Sequence, residues 1–271
     1  MSTNKSVTAT FERVISVCYS DNVEGTSGND IIQLCEGIIE SVTVRGDGDR
    51  DFVNGPDRCS SSRCGDDLII GSDIDDLLYG DDGLGGWQAT GRDVIYGREG
   101  NDTIYGESGN DRLYGEMDDD VIDGGNGNDR LEGGDDDDIL LGGPGRDVIF
   151  GGEGDDELYG GSNNDILRGG SGFDTIDGGT GNDTIEGGLD SDFLVGGGGN
   201  DTFILQAGDA GDDIETIICT QAHNETGRVI LRGEFSDIAL GRFRNTTVTI
   251  QDASGIFEII TGPGVCVISR R

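Results

Sequence analysis

The chain has 271 residues, 51 of them Gly and 3 Pro, and its 55 acidic against 18 basic side chains give a formal net charge of −37. Hydrophobic residues make up 33% and aromatic residues 6%, so the apolar core is thin and the repulsion drives a compact chain toward disorder unless cations enter. Nucleic acid and anionic membrane surfaces are poor partners for such a polyanion, because the electrostatic term that dominates those interfaces is repulsive here. The glycines show no period of three, which removes the collagen triple helix, and no run approaches the ~18 apolar residues of a membrane span.

Residues 1–24 are expected to form an N-terminal cap with a strand around Phe11 to Cys18. The first residues, Met1 to Tyr19, contain Lys5 but no continuous apolar stretch and no cleavage site. No signal peptide is therefore expected, leaving either a mature chain with a new start or another export route. Six cysteines, Cys18, Cys35, Cys59, Cys64, Cys219 and Cys266, flank the middle of the chain and never enter it. With no CxxC pair and one histidine, His223, a zinc site is not expected. Terminal disulfides in an oxidising compartment are the favoured reading. Sequence proximity alone favours Cys18 with Cys35, Cys59 with Cys64 and Cys219 with Cys266 among the possible connectivities, and buried free thiols are the alternative.

From residue 25 a nine-residue period emerges, broken at first. Residues 25–96 hold one good copy, GTSGNDIIQ from Gly25 to Gln33, a weaker one from Gly46 to Asn54, and two more within Gly65 to Tyr79 that carry Asp67 and Asp76. Enlarged turns interrupt them at Gly55 to Cys64 and at Leu84 to Thr90. The second turn contains Trp87, expected to pack on the array rather than to bind a ligand. From Gly97 to Ile204 the period is unbroken over twelve units, among them GGNGNDRLE (Gly124 to Glu132), GGPGRDVIF (Gly142 to Phe150), GGTGNDTIE (Gly178 to Glu186) and GGGGNDTFI (Gly196 to Ile204). The first position is always Gly and the sixth always Asp. The eighth is always large and apolar: Ile104, Leu113, Ile122, Leu131, Leu140, Ile149, Leu158, Leu167, Ile176, Ile185, Leu194 and Phe203.

On these residues the chain resembles the RTX, or haemolysin-type, calcium-binding repeat family, whose consensus is GGxGxDxUx; this nonapeptide is also a standard worked case of a repeat signature. The physics of the unit points the same way. Glycines at positions one, two and four permit tight turns, and the last three positions suit a brief strand. One apolar residue per nine cannot close a core alone. Two units forming an 18-residue coil can, if two parallel sheets face each other across the Ile and Leu side chains. The expected fold is thus an all-β parallel β-roll solenoid, with two short strands per coil, an N-terminal cap strand and a C-terminal β cap.

In such a roll the carboxylates fall into two columns. Asp93, Asp111, Asp129, Asp147, Asp165, Asp183 and Asp201 line one edge, and Asp102, Asp120, Asp138, Asp156, Asp174 and Asp192 the other. Neighbours in a column are one strand spacing apart, about 4.8 Å, and a hard cation such as Ca²⁺, which takes six to eight oxygens, relieves their repulsion better than Mg²⁺. The resemblance implies that the Asp side chains, with Asp67 and Asp76, share each ion with turn carbonyls near Gly124, Gly127, Gly142, Gly145, Gly151, Gly154, Gly169, Gly172, Gly178, Gly181, Gly196 and Gly199. Thirteen in-register Asp residues in two columns form same-edge pairs for roughly eleven ions. Asp118, Asp136, Asn163 and Asp190 replace Gly at position four, where they either distort the turn or add a ligand.

Residues 205–271 are expected to cap the roll, with strands at Glu215 to Cys219, Arg228 to Leu231, Thr246 to Gln251, Ile256 to Thr261 and Val265 to Ser269. No catalytic residue is expected: one His excludes HExxH, and GxSxG does not occur. Position three reads Glu99, Ser108, Met117, Asn126, Asp135 and Pro144, too irregular for an ice-binding face. The reading is an extracellular or cell-surface calcium-binding β-roll that folds on binding several Ca²⁺ ions, either free-standing or the repeat part of a larger secreted enzyme, toxin or adhesin. Outward Val148, Phe150 and Ile166 on one sheet, and Ile139, Leu141 and Tyr159 on the other, offer apolar faces for a second copy or a partner.

Overall fold

A computed structural model describes residues 13–17, 22–24, 30–34, 43–45, 52–54, 68–71, 75–80, 91–190 and 192–206, and strand segments at 216–218, 228–232, 238–240, 244–252, 255–264 and 268–270. The units fold as turn plus strand because of where their side chains fall. In Thr103–Tyr105, for example, the middle residue Ile104 is buried while its neighbours are half-buried, the alternation a pleated strand imposes. The next strand of the facing sheet, Arg112–Glu116, buries Leu113 and Gly115 in the same way on the opposite side of the core.

Successive strands therefore enter two parallel sheets by turns. Among the described residues one sheet has 11 strands and runs from Arg13–Val17 to Thr216–Ile218; the other has 13, beginning at Asn22–Glu24. Register is one coil of 18 residues: Leu113 pairs with Leu131, Leu131 with Ile149 and Ile149 with Leu167 on one sheet. Ile122 with Leu140 and Leu140 with Leu158 do so on the other. One coil is longer. Leu78 likewise pairs with Ile104, so the eight residues by which this coil exceeds 18 leave the strand pairing intact.

Every eighth-position residue from Ile104 to Phe203 is fully buried, as are Ile69, Leu78 and Ile95. Full burial of such a side chain contributes about 1.5–3 kcal/mol, and each Ile or Leu supplies the apolar surface that its neighbours one coil away need. The expected parallel β-roll is what the chain forms.

Both sheets continue past the regular array. The predicted N-terminal strand is Arg13–Val17, parallel to Asp30–Leu34. At the other end Phe193–Val195 pairs with Thr216–Ile218, and Thr202–Gln206 with Arg228–Arg232. Arg244–Asp252 adds a parallel strand, and Gly255–Gly264 then turns back antiparallel to it. An antiparallel pair, Ile238–Leu240 with Ile268–Arg270, completes the strands there; the first of these was not predicted. The six cysteines, Trp87 and His223 lie outside the described residues.

The outward faces are less apolar than their composition suggests. Val148 lies beside Ile166, which is 39% exposed, but Phe150 pairs with Arg168. Guanidinium groups of Arg130 and Arg168 lie 4.5 and 5.4 Å from its ring centroid, and they in turn bond Glu132 and Glu186. The expected cluster is therefore interrupted by a charged row that covers the ring. Two tyrosine stacks, Tyr79 on Tyr105 at 4.8 Å and Tyr96 on Tyr114 at 4.7 Å, were not anticipated. Their signal was a ninth-position Tyr recurring one coil apart.

Candidate metal centre

The sixth-position Asp opens each strand, directly before the residue that pairs across the sheet. Its side chain turns inward beneath the turn, and from Asp93 to Asp192 these residues are no more than 2% exposed. One oxygen of each is accounted for by the backbone. Oδ1 of Asp111 accepts the N–H of Asp93 at 2.8 Å, Asp129 that of Asp111 at 2.9 Å, Asp147 that of Asp129 at 2.8 Å, and Asp165 that of Asp147 at 2.8 Å. The opposite column repeats this from Asp76, whose N–H donates to Asp102 at 2.6 Å, through Asp120, Asp138, Asp156 and Asp174 to Asp192. Asp201 accepts from Asp183 at 3.1 Å. The two columns inferred from the period are thus the two columns of the structure; Asp67 lies outside the described residues.

The other oxygen is different. Oδ2 of Asp102, Asp120, Asp129, Asp138, Asp147, Asp156, Asp165, Asp174 and Asp183 is buried and has no hydrogen-bond partner. An ionised carboxylate left so is strongly disfavoured. Burial pushes these carboxyls up, to about 8 for Asp102, Asp120 and Asp138, about 7 for Asp147, Asp156, Asp165 and Asp183, and about 6 for Asp129 and Asp174. The backbone N–H bond opposes the rise, and like charges add to it, as Asp102, Asp138 and Asp118 do around Asp120.

The first-position glycine makes room for this oxygen. A Cβ on Gly115 would lie 2.0 Å from Oδ2 of Asp120 and 2.7 Å from the carbonyl oxygen of Gly133; on Gly142 it would lie 2.7 Å from both Oδ2 of Asp147 and the carbonyl of Gly160. At position four a glycine lies close to a carbonyl from the preceding coil and to the Oδ1 side of the Asp carboxylate. The place a Cβ would take on Gly145 is 1.4 Å from the Gly127 oxygen and 3.0 Å from Oδ1 of Asp147. On the Asp93 to Asp201 edge the column is thus bordered by main-chain oxygens of the coils before and after it. Among the described residues no three His, Cys, Asp or Glu side chains converge on one point, so an ion held here takes part of its shell from backbone oxygens, as Ca²⁺ accepts. Orphaned buried oxygens and glycine cradles fit that ion.

Replacing the fourth-position Gly keeps φ positive but shifts it from the 110° to 155° of Gly100, Gly127, Gly154, Gly172, Gly181 and Gly199. Asp118, Asp136, Asn163 and Asp190 adopt φ of 71°, 75°, 82° and 73°, the left-handed region that Asp and Asn enter more readily than other side chains. The fifth position also has a role that the sequence reading missed. Asn128 Oδ1 accepts the N–H of Arg146 at 3.0 Å, while Asn110 Oδ1 accepts that of Asn128 at 2.8 Å; on the opposite edge Asp137 accepts from Asp155 at 2.7 Å and Asp155 from Phe173 at 2.8 Å. The recurring Asn-Asp pair at positions five and six was its signal.

Two parallel sheets closed over apolar ladders, with a buried Asp column and glycine cradles at each edge, define a repeat solenoid of the β-roll class. The family model of the RTX calcium-binding nonapeptide repeat (4 copies) matches residues 19–33, 89–122, 114–148, 132–167, 141–176 and 168–203. The array belongs to the RTX calcium-binding nonapeptide repeat family, a structural fold whose repeats bind calcium. Comparison with curated proteins gives no match. No helix among the described residues is long and apolar enough to cross a membrane.

Proposed function

We propose that this chain is a non-catalytic calcium-binding β-roll that works outside the cell, folds as it loads Ca²⁺, and serves as a structural or interaction module. The observation that carries this reading is the row of buried Asp oxygens without hydrogen-bond partners, repeated once per coil on both edges. The ligands are the Asp side chains of the two columns, Asp93 to Asp201 and Asp102 to Asp192, with Asp67 and Asp76 ahead of them. Turn carbonyls complete each shell, near Gly127 and Gly145 on one edge and Gly154 and Gly172 on the other. Same-edge pairs provide for roughly eleven ions. Bound calcium neutralises much of the −37, and metal-binding free energy becomes folding free energy. RTX repeat proteins are typically secreted, which supports an extracellular place and disulfides among the six cysteines. The module is either free-standing or part of a larger secreted protein.

The test is circular dichroism in excess chelator followed by calcium titration, with mass measured under non-denaturing conditions. The expected result is a β signal lost in chelator, restored by millimolar Ca²⁺, and a mass increment of roughly eleven ions. An unchanged β spectrum in chelator, with no bound calcium on titration, overturns the reading.

A further inference from the structure

The two edges of the roll share one backbone plan but not one charge. In the six turns that end at Asp102 to Asp192, positions two to five carry ten carboxylates and Arg98; in the six that end at Asp111 to Asp201 they carry Glu107 and Arg146. The difference is greatest mid-roll, where Asp118, Asp119, Asp136 and Asp137 are all exposed and the matching residues opposite are Gly127, Asn128, Gly145 and Arg146. Asp119, Asp137 and Asp155 are held in line, since Oδ1 of Asp119 accepts the N–H of Asp137 at 3.2 Å and Oδ1 of Asp137 that of Asp155 at 2.7 Å.

The fold does not require those charges. Asn makes the same bond on the opposite edge, where Oδ1 of Asn164 accepts the N–H of Asn182 at 2.8 Å and Oδ1 of Asn182 that of Asn200 at 2.9 Å. Carboxylates stacked at about 4.8 Å repel one another, so the acidic edge is less favourable than a neutral one until a cation arrives. The residues that follow Asp119, Asp137 and Asp155 carry the buried Oδ2 atoms of Asp120, Asp138 and Asp156, which have no hydrogen-bond partner and feel the charges of these turn carboxylates, Asp118 acting on Asp120, Asp119 and Asp136 on Asp138, and Asp137 and Asp155 on Asp156.

We propose that the two edges differ in calcium affinity, and that the Asp102 to Asp192 edge fills at lower calcium because the exposed carboxylates of turn positions four and five lie beside its buried Asp column. This rests on the calcium reading given above. Exposed charges act on a neighbouring cation through water and are weakened by salt, so the preference is about tenfold at low ionic strength and smaller at physiological salt. The neutral edge, lacking this attraction, completes the roll as calcium rises.

Isothermal calorimetry on the full chain tests this at about 0.02 M and 0.15 M salt, comparing it with the triple variant Asp119→Asn, Asp137→Asn, Asp155→Asn. Asn retains the Oδ1 acceptor, so the ladder stays intact, and circular dichroism at saturating calcium checks the fold. The expected wild-type isotherm has two steps; the variant weakens the tighter step about tenfold at low salt without changing the number of ions. Asp138→Asn should remove ions from the tighter step and Asp147→Asn from the weaker one. Unshifted midpoints in the triple variant at full ion count overturn the proposal alone, as does loss of tight ions in Asp147→Asn. Absence of calcium binding by wild type overturns the underlying reading as well.

Discussion

The main-chain N–H of Asp129 donates to Oδ1 of Asp147, 18 residues further along, at 2.8 Å. Repeated along each edge, this contact makes every Asp both a strand opener and the acceptor for the coil before it. A change at one Asp therefore reaches its neighbours on either side. Asp147→Ala removes the acceptor for Asp129 and perturbs two ion positions, whereas Asp201→Ala, at the end of the regular array, touches one sixth-position neighbour, Asp183. Calcium midpoints followed by circular dichroism should move further for Asp147→Ala, with lower cooperativity. Equal shifts count against ions shared between coils.

Proton linkage follows from the raised carboxyl pKa values. A folded-state pKa above the unfolded value means that the metal-free fold binds more protons than the unfolded chain, so its stability is greatest below about pH 4 and falls as pH rises. The window closes near 8, where Asp102, Asp120 and Asp138 titrate. In chelator, β signal should therefore grow as the solution is acidified from pH 8 toward 4.5, because protons then neutralise the buried carboxyls in place of a cation. A β signal that stays flat or falls over that range would contradict the linkage.

Two glycines of the same array should differ in their response to alanine. On Gly115 the new methyl would meet the Asp120 carboxylate and the rigid Gly133 carbonyl, and the destabilisation should be at least about 1–3 kcal/mol. On Gly198 the nearest atom is Cγ2 of Thr180 at 4.0 Å, and the change should stay within about 0.5 kcal/mol. Denaturant unfolding of the calcium-loaded variants measures both, and similar losses would show that the cradle at position one is not what selects glycine.

Association of calcium-loaded copies, if it uses the sheet face, should depend on Ile166 and not on Phe150, because Arg130 and Arg168 cover the latter ring. Sedimentation should then find Ile166→Ser less associated than wild type, and Phe150→Ser unaltered in mass although less stable by about 0.5–1 kcal/mol from the lost cation–π contacts. A monomeric wild type at every calcium concentration removes self-association through this face.

Much of this molecule was legible in its period. A fixed spacing of nine between Asp129 and Asp138, and of 18 between Asp129 and Asp147, determines strand length, coil size, the buried Leu131 ladder and both Asp columns, because each unit can bury its single apolar residue only by repeating its neighbour's geometry. The family resemblance rests on the same residues. Tertiary structure alone decided the rest. That one oxygen of Asp147 is taken by a backbone N–H while the other has no hydrogen-bond partner depends on side-chain direction, which spacing does not contain. Whether Phe150 forms an apolar patch or a covered ring turned on Arg168, one coil away and distant in sequence. The positive φ of Asp118 and Asp136 likewise emerged only from the turn itself, because the turn demands a left-handed residue and Asp reaches that region with a smaller φ than Gly.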